Sequence, residues 1–534
     1  MACCFLTAHA FAAERGPSSS QTAAAVDRQL EQELSLPAGP SAAPQASDEI
    51  FLRRVTLDLT GQLPTPGKIT AFALDPAADK RAQLVEELLA SDAFGENWGR
   101  YWRDVVMFRR SDERGLLASG PLERRLAEAL NENTPWDAVA TELITAKGDV
   151  REDGRTGLIM AHVGRPEETV AEISRIFMGV QIQCAQCHDH PTDRWKREQF
   201  HELAAFFPRV AVRPNQANGP RSFAVVADDF PAFRRDVNAA NRFRGTPEHY
   251  MPDLEHPEAE GTRMTPVFFV TGQRLPLGTK DVDRRAALAK WLTSPENPWF
   301  AKAAVNRIWS ELVGNGFYEP VDDMGPDRDC NAPQTLDLLA AGFVASGHDM
   351  KWLYRTIMAT DAYQRESRPR GGSQEKSFAA NCPQPLRADQ LYDALVHALG
   401  IPAQPAARGG NPYNDGPLAA GPRGQFGQLF GYDPSDARDE IEGSIPQSLA
   451  LMNSPQLSAL ISASPFTPLG KLLRELDNDE DVVVDLYLRG LARQPRDAEI
   501  AKCLQYVKSV GNRDEAFEDI LWAIVNSAEF LHRR

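Results

Sequence analysis

Apolar residues recur every three or four positions through most of the chain, the period of a helix that buries one face. Leu84, Leu88 and Leu89 form one such stripe, and Trp98, Trp102, Val105 and Val106 form the next. The helical period continues from Leu122 to Ala146. Val170, Ile173, Ile176 and Phe177 then define an amphipathic helix from Glu167 to Gln183, and a shorter one is expected from Glu198 to Phe207. Punctuation agrees with the period. Ser47 is placed to cap a helix entering at Ile50, and Thr65 to cap one that has Pro66 in its first turn.

The pattern changes after Pro208. Phe223 and Val225 alternate, and the run Val267-Phe268-Phe269-Val270 suggests short strands among loops rich in Pro and Gly. Helical spacing returns at Asp283, with helices expected at 284–293, 300–313, 336–346, 352–360, 387–399, 482–491 and 516–530. The fold class predicted is mainly α, with two helical domains joined by a small β-containing, loop-rich middle segment. The first domain spans 47–210, the linking segment 211–264, and the second domain 265–366 and 381–534. A stretch at 402–435, rich in Gly, Pro and Arg, reads as a long loop within the second domain. Residues 14–46, rich in Ala, Ser, Pro and Gln, read as a flexible leader.

Composition narrows the function. The 534 residues include 74 acidic and 58 basic side chains, a formal net charge of −16, which disfavours a nucleic-acid backbone as partner. No stretch reaches the roughly 18 apolar residues that a membrane span requires. Residues 1–13 are small and apolar and offer Ala10-Phe11-Ala12 as a cleavage site, so a truncated signal peptide and an exported, periplasmic or cell-surface protein are expected. Seven cysteines are too few for a disulfide scaffold, and Cys330, Cys382 and Cys503 stand alone as small buried hydrophobes.

The most specific feature is Cys184-Ala185-Gln186-Cys187-His188, followed by Asp189-His190-Pro191. C-x-x-C-H is the attachment signature of a c-type haem. Two thiols three positions apart on a helical turn share a face and reach the two vinyl groups of one porphyrin, and the next histidine can ligate the iron. Export agrees with this reading, because bacterial thioether attachment takes place outside the cytoplasmic membrane. The same residues allow a second reading, a zinc site of Cys184, Cys187, His188 and His190, although structural zinc sites usually draw their second ligand pair from farther away. A redox dithiol is a third, but its usual βαβ context is lacking. Asp193 is a candidate to orient His188 or His190 by a hydrogen bond, and equally a candidate helix cap. His162, His201, Met160 and Met107 lie in the same domain without the spacing of a second axial ligand. Arg307 with Asp322 or Asp323 reads as a structural ion pair or as part of a substrate pocket. No familiar hydrolase, zincin, Walker or dinucleotide motif occurs.

These residues carry a resemblance. Residues 47–210 resemble the planctomycete-type cytochrome-C-like domain, through the run from Phe51 to Pro66, through Trp98-Gly99-Arg100-Tyr101-Trp102-Arg103-Asp104-Val105, and through Cys184 to Asp193. Residues 265–531 resemble the partner domain that usually follows it, through Asp283 to Ala289, Asn297 to Trp309, Asp322-Asp323-Met324 and Leu451 to Pro455. Both are domains of unknown function. The resemblance implies an exported, haem-linked protein with an electron-transfer or redox role and an external redox partner. Its alternatives are a structural or binding protein stapled by a Cys/His metal site, and a polysaccharide-directed enzyme or recognition module, suggested by relatives with carbohydrate-binding insertions.

Overall fold

Local signals set the helices where the chain enters its core. In the computed structural model, Ser47 accepts the N–H of Ile50 to start helix Asp48–Thr60, and Gly61 ends it in the left-handed conformation at φ 70°. Thr65 likewise caps helix Pro66–Leu74, with the proline in the first turn. The structure describes residues 16–34, 42–215, 222–229, 232–235, 242–245, 248–368, 378–401, 422–437, 441 and 443–534. Among the described residues the protein is mainly helical, with 24 α-helices and only small antiparallel sheets. Among the described residues the largest sheet has three strands, Gly148–Asp149, Phe223–Ala227 and Val210–Pro214 in that order. Among the described residues no helix is long and apolar enough to cross a membrane.

Two hydrophobic cores result. One joins the N-terminal helices to those between Asp281 and Met358. A row of rings runs through it: Trp102 lies 4.3 Å from Trp136, Trp136 lies 6.0 Å from Phe177, and Phe177 lies 6.5 Å from Phe300 on helix Pro298–Val313. The other gathers the helices from Ala388 to Leu531 around Leu57 and Leu63. The chain end is fastened between them. Arg533 Nε bonds Asp58 Oδ1 at 2.5 Å, Arg53 donates to the His532 carbonyl at 2.9 Å, and strand His532–Arg533 pairs with Gln384–Pro385.

Two expectations are corrected. Part of the 14–46 leader is an ordered helix, Ser19–Glu33, whose Ala23, Val26 and Leu30 are buried. Their helical spacing was outweighed by the polar, Ala-rich composition around them. Glu33 accepts the N–H groups of Gln334 and Thr335, and Trp352 Nε1 bonds the Pro17 carbonyl, so this helix is pinned to the second half of the chain. Within the 402–435 loop, residues 422–430 are helical (Pro422–Phe430), and Asp433 and Ser435 are buried; residues 402–421 lie outside the described set. The signal-peptide expectation at 1–13 also falls outside it.

The halves of the chain are locked by a buried ionic network. Arg175, on helix Pro166–Met178, holds Glu172 through Nε at 2.9 Å and Asp322 through Nη1 at 3.0 Å. Asp322 is fully buried and also accepts Gln181 Nε2 at 2.9 Å. Burial alone would raise its carboxyl pKa, but the surrounding cations, Arg175 first and then Arg307 and Arg109, hold it below the ordinary carboxylate range. Its contribution to stability is therefore present above that range and is lost only as pH falls through the lowered value.

Replacing Asp322 by Ala strands buried arginines and should cost about 3–5 kcal/mol in urea unfolding, whereas the paired change Arg175→Met with Asp322→Leu should cost less than the sum of the two singles. His162 gives a pH prediction. Burial pushes its pKa down to about 4, so it is neutral when folded, and below its unfolded value near 6.5 the unfolded chain takes up the proton first. Stability should fall by up to about 3 kcal/mol between pH 6.5 and 4 on this account, and His162→Gln should remove that part of the slope in unfolding curves.

Candidate functional site

Helix Pro166–Met178 ends at Gly179, in the left-handed conformation at φ 65°, and the chain turns through Val180 and Gln181 into a 3-10 segment, Ile182–Gln186. Ile182 and Ala185 face the core, which leaves Cys184 and Cys187 exposed. Cys184 lies within the 3-10 segment and Cys187 is its C-cap residue, so the two thiols stand three positions apart along one continuous turn. His188 follows, also exposed, and its Nδ1 lies 2.7 Å from the carbonyl oxygen of Asp189. A carbonyl only accepts, so Nδ1 carries the proton and the Nε2 lone pair is left for a ligand.

Asp189 has a second task. Its carboxylate accepts the backbone N–H of Arg197 at 3.0 Å, in the first turn of helix Arg197–Ala204, and the Lys196 ammonium at 3.0 Å. Those bonds, the Arg197 N–H first, lower its pKa below the usual carboxylate range. One residue therefore orients the histidine with its carbonyl and anchors the following helix with its side chain. The loop between is closed by His190 N–H to the Trp195 carbonyl at 2.8 Å, and Trp195 packs edge-on against Phe269 at 5.0 Å.

The second half of the chain grips this turn from outside. Met324 N–H bonds the Gly179 carbonyl at 2.6 Å, Arg328 donates to Thr192 Oγ1 at 3.0 Å, and Arg194 pairs with Asp327 at 2.7 Å. Two glycines permit the approach: a Cβ on Gly179 would lie 2.5 Å from the Met324 sulfur, and one on Gly325 would collide with the Asp193 carboxylate. Behind the turn, His201 Nε2 lies 3.0 Å from the Gln186 carbonyl and its Nδ1 lies 2.9 Å from His249 Nε2, with both rings buried.

Of the expected site residues, Cys184, Cys187 and His188 are all exposed, in and just after the 3-10 segment. His190 Nδ1 accepts the N–H of Thr192 at 3.4 Å, and the four side chains of the zinc alternative do not form a metal-holding group. Among the described residues there is no group of three or more His, Cys, Asp or Glu side chains that could hold a metal ion. Asp193 accepts the Arg194 N–H at 2.7 Å, and the bonds expected of it, to a site histidine and to the helix start, are made by Asp189. Met107 and Met160 are core residues, and His162 bonds Ser111 Oγ at 3.2 Å from a buried position. The spacing of the sequence signals neither His249, 48 positions from its partner His201, nor the Arg175–Asp322 pair, 147 positions apart.

The donor set suits a covalently held haem: two exposed thiols three positions apart, and an adjacent imidazole in the tautomer that ligates through Nε2.

Comparison with known proteins places the chain without assigning a reaction. The family model PSCyt2, described as a protein of unknown function (DUF1549), matches residues 25–212. The model PSD1, also described as a protein of unknown function (DUF1553), matches residues 284–416. No curated protein matches, and no solved structure does. With its turn of two cysteines and a histidine inside the first match and the loop that grips it inside the second, the chain carries a PSCyt2 domain followed by a PSD1 domain, matching the planctomycete-type arrangement.

Proposed function

We propose that this protein carries one c-type haem, bound through thioether links at Cys184 and Cys187 with His188 Nε2 as an axial ligand, and that it passes electrons to or from an external redox partner. The observation that carries this reading is the turn itself: both thiols are exposed and three residues apart, and the Asp189 carbonyl fixes the His188 tautomer. The bound group would supply one-electron chemistry. The protein's own part is to hold the turn rigid. Asp189 sets the imidazole and the start of the next helix, and the contacts of Met324, Asp327 and Arg328 brace the loop from the second domain. Exposure of the turn leaves it open to a partner. Export to the periplasm or cell surface goes with this proposal, since attachment occurs there.

Expression with a cytochrome c maturation system followed by a pyridine haemochrome spectrum tests it. The wild type should give the spectrum of a porphyrin with both vinyl groups saturated, and Cys184→Ala with Cys187→Ala should lose its haem on acid–organic extraction. His188→Ala should keep the covalent mass but change the visible spectrum. Recovery of apoprotein alone from a strain that matures a control cytochrome would overturn the proposal.

A further inference from the structure

Helix Pro333–Ala345 ends in a Schellman turn. Gly347 N–H bonds the Val344 carbonyl and His348 N–H bonds the Phe343 carbonyl, each at 3.0 Å, with the two residues at φ 75° and 57°. The side chain at the second of these positions commonly makes an apolar contact back to the helix. His348 makes it with its ring, which lies edge-on to Phe343 and to Phe300, each at 5.4 Å. Its backbone carbonyl accepts the Trp136 N–H at 3.0 Å. A plain hydrocarbon ring would do all of this. Yet the position holds an imidazole, only 9% exposed, and neither ring nitrogen has a hydrogen-bond partner among the described residues. Nδ1 stands 3.6 Å from Asp137 Oδ1, too far for a hydrogen bond, and that buried oxygen has no hydrogen-bond partner either.

Beside the ring is a cavity of about 350 Å³, between helices Pro298–Val313 and Pro333–Ala345. Phe300, Ala301, Ala340 and Val344 give it apolar walls. Its charged lining groups, Lys302 and Asp337, pair with each other at 2.5 Å, so nothing in it calls for a charged ligand. Two buried polar side chains reach the lining. Asn297 is satisfied, by the Leu292 carbonyl at 2.7 Å and the Trp299 N–H at 3.2 Å; His348 is not. Burial, opposed by Asp137, holds the His348 pKa below the ordinary imidazole range, so the ring is neutral near pH 7. A bare lone pair facing a carboxylate is repelled, so the proton sits on Nδ1 and Nε2 is left as an acceptor. Asp137 is not part of the cavity wall, so the ring meets the cavity with its other edge.

From this geometry we propose that the cavity binds a small uncharged molecule with an apolar body and one O–H donor, which bonds His348 Nε2. A volume of roughly 150 Å³ already admits benzene, so a simple phenol fits. The walls take up its ring, and its hydroxyl supplies the bond that the fold denies the imidazole. The cavity lies wholly within residues 284–416, which gives the second domain a chemistry of its own, separate from the cysteine turn.

The test titrates the full-length protein, labelled with 15N at histidine, with phenol and with toluene, which are alike in size and differ in the hydroxyl. Phenol should shift the His348 Nε2 resonance to saturation. His348→Phe keeps a ring and removes the acceptor, and should weaken phenol relative to toluene by about tenfold, the worth of one buried hydrogen bond. Ala341→Trp, at an exposed position in the lining, should weaken both probes at least as much while circular dichroism stays unchanged. Phenol that leaves the His348 nitrogens unmoved, a shift that survives Ala341→Trp, or an unaltered phenol-to-toluene ratio in His348→Phe overturns the site. The wild-type titration and Ala341→Trp decide the question even where the left-handed backbone at position 348 rejects phenylalanine. Haem content, read by intact mass, has no bearing on these outcomes.

Discussion

The ion pair between Arg175 and Asp322 is the constraint on which the rest of the structure turns. Arg175 sits in the last turn of the helix that leads into the cysteine motif, and Asp322 opens the loop that grips the motif from the second domain. A carboxylate with no exposure is tolerable only if cations and hydrogen-bond donors surround it, and Arg175, Gln181, Arg109 and Arg307 do so. Gln181 is the residue before the 3-10 segment, so its bond to Asp322 fixes where the thiols emerge. The same network takes in Ser435, which accepts Arg175 Nη1 at 2.8 Å, and Asp433, which pairs with Arg109 at 2.6 Å. Three remote segments are thereby committed to one arrangement around the motif.

This arrangement suggests why the two domains occur together in one chain. The exposed turn has few apolar contacts of its own, with only Ile182 and Ala185 buried within it, and a short 3-10 segment is a weak element alone. Its rigidity comes from what borders it: the end of helix Pro166–Met178, the start of helix Arg197–Ala204 through Asp189, and the 322–328 loop. A group that must present two thiols and an imidazole at fixed spacing needs such bracing, because small displacements of ligands are costly.

Much of the fold was legible in the pattern of the sequence. The caps at Ser47 and Thr65 formed as expected, and the stripe of Val170, Ile173, Ile176 and Phe177 became the helix that carries Arg175. Periodicity could not say which helices share a core, because that is decided by contacts between distant segments such as Phe177 with Phe300. Helix Ser19–Glu33 was hidden by composition, since alanines and glutamines mask a stripe of only three buried apolar residues, Ala23, Val26 and Leu30. At the site, the cysteines and His188 were evident from spacing. Their supports were not. Asp193 and Asp189 look alike in sequence, and only the bend after His188 decides that Asp189 reaches the Arg197 N–H. The histidines behind the turn come from a helix and from a strand edge beyond the sheet, so no local motif could join them.

The turn from Cys184 to His188 is the haem attachment site that we propose. Trypsin should release the segment from Ile176 to Arg194 as a single peptide, since no Lys or Arg interrupts it. From protein matured in a cytochrome c-competent host, mass spectrometry of that peptide should find one haem and no alkylatable thiol at Cys184 or Cys187. The unmodified peptide, with both thiols open to iodoacetamide, would contradict the account.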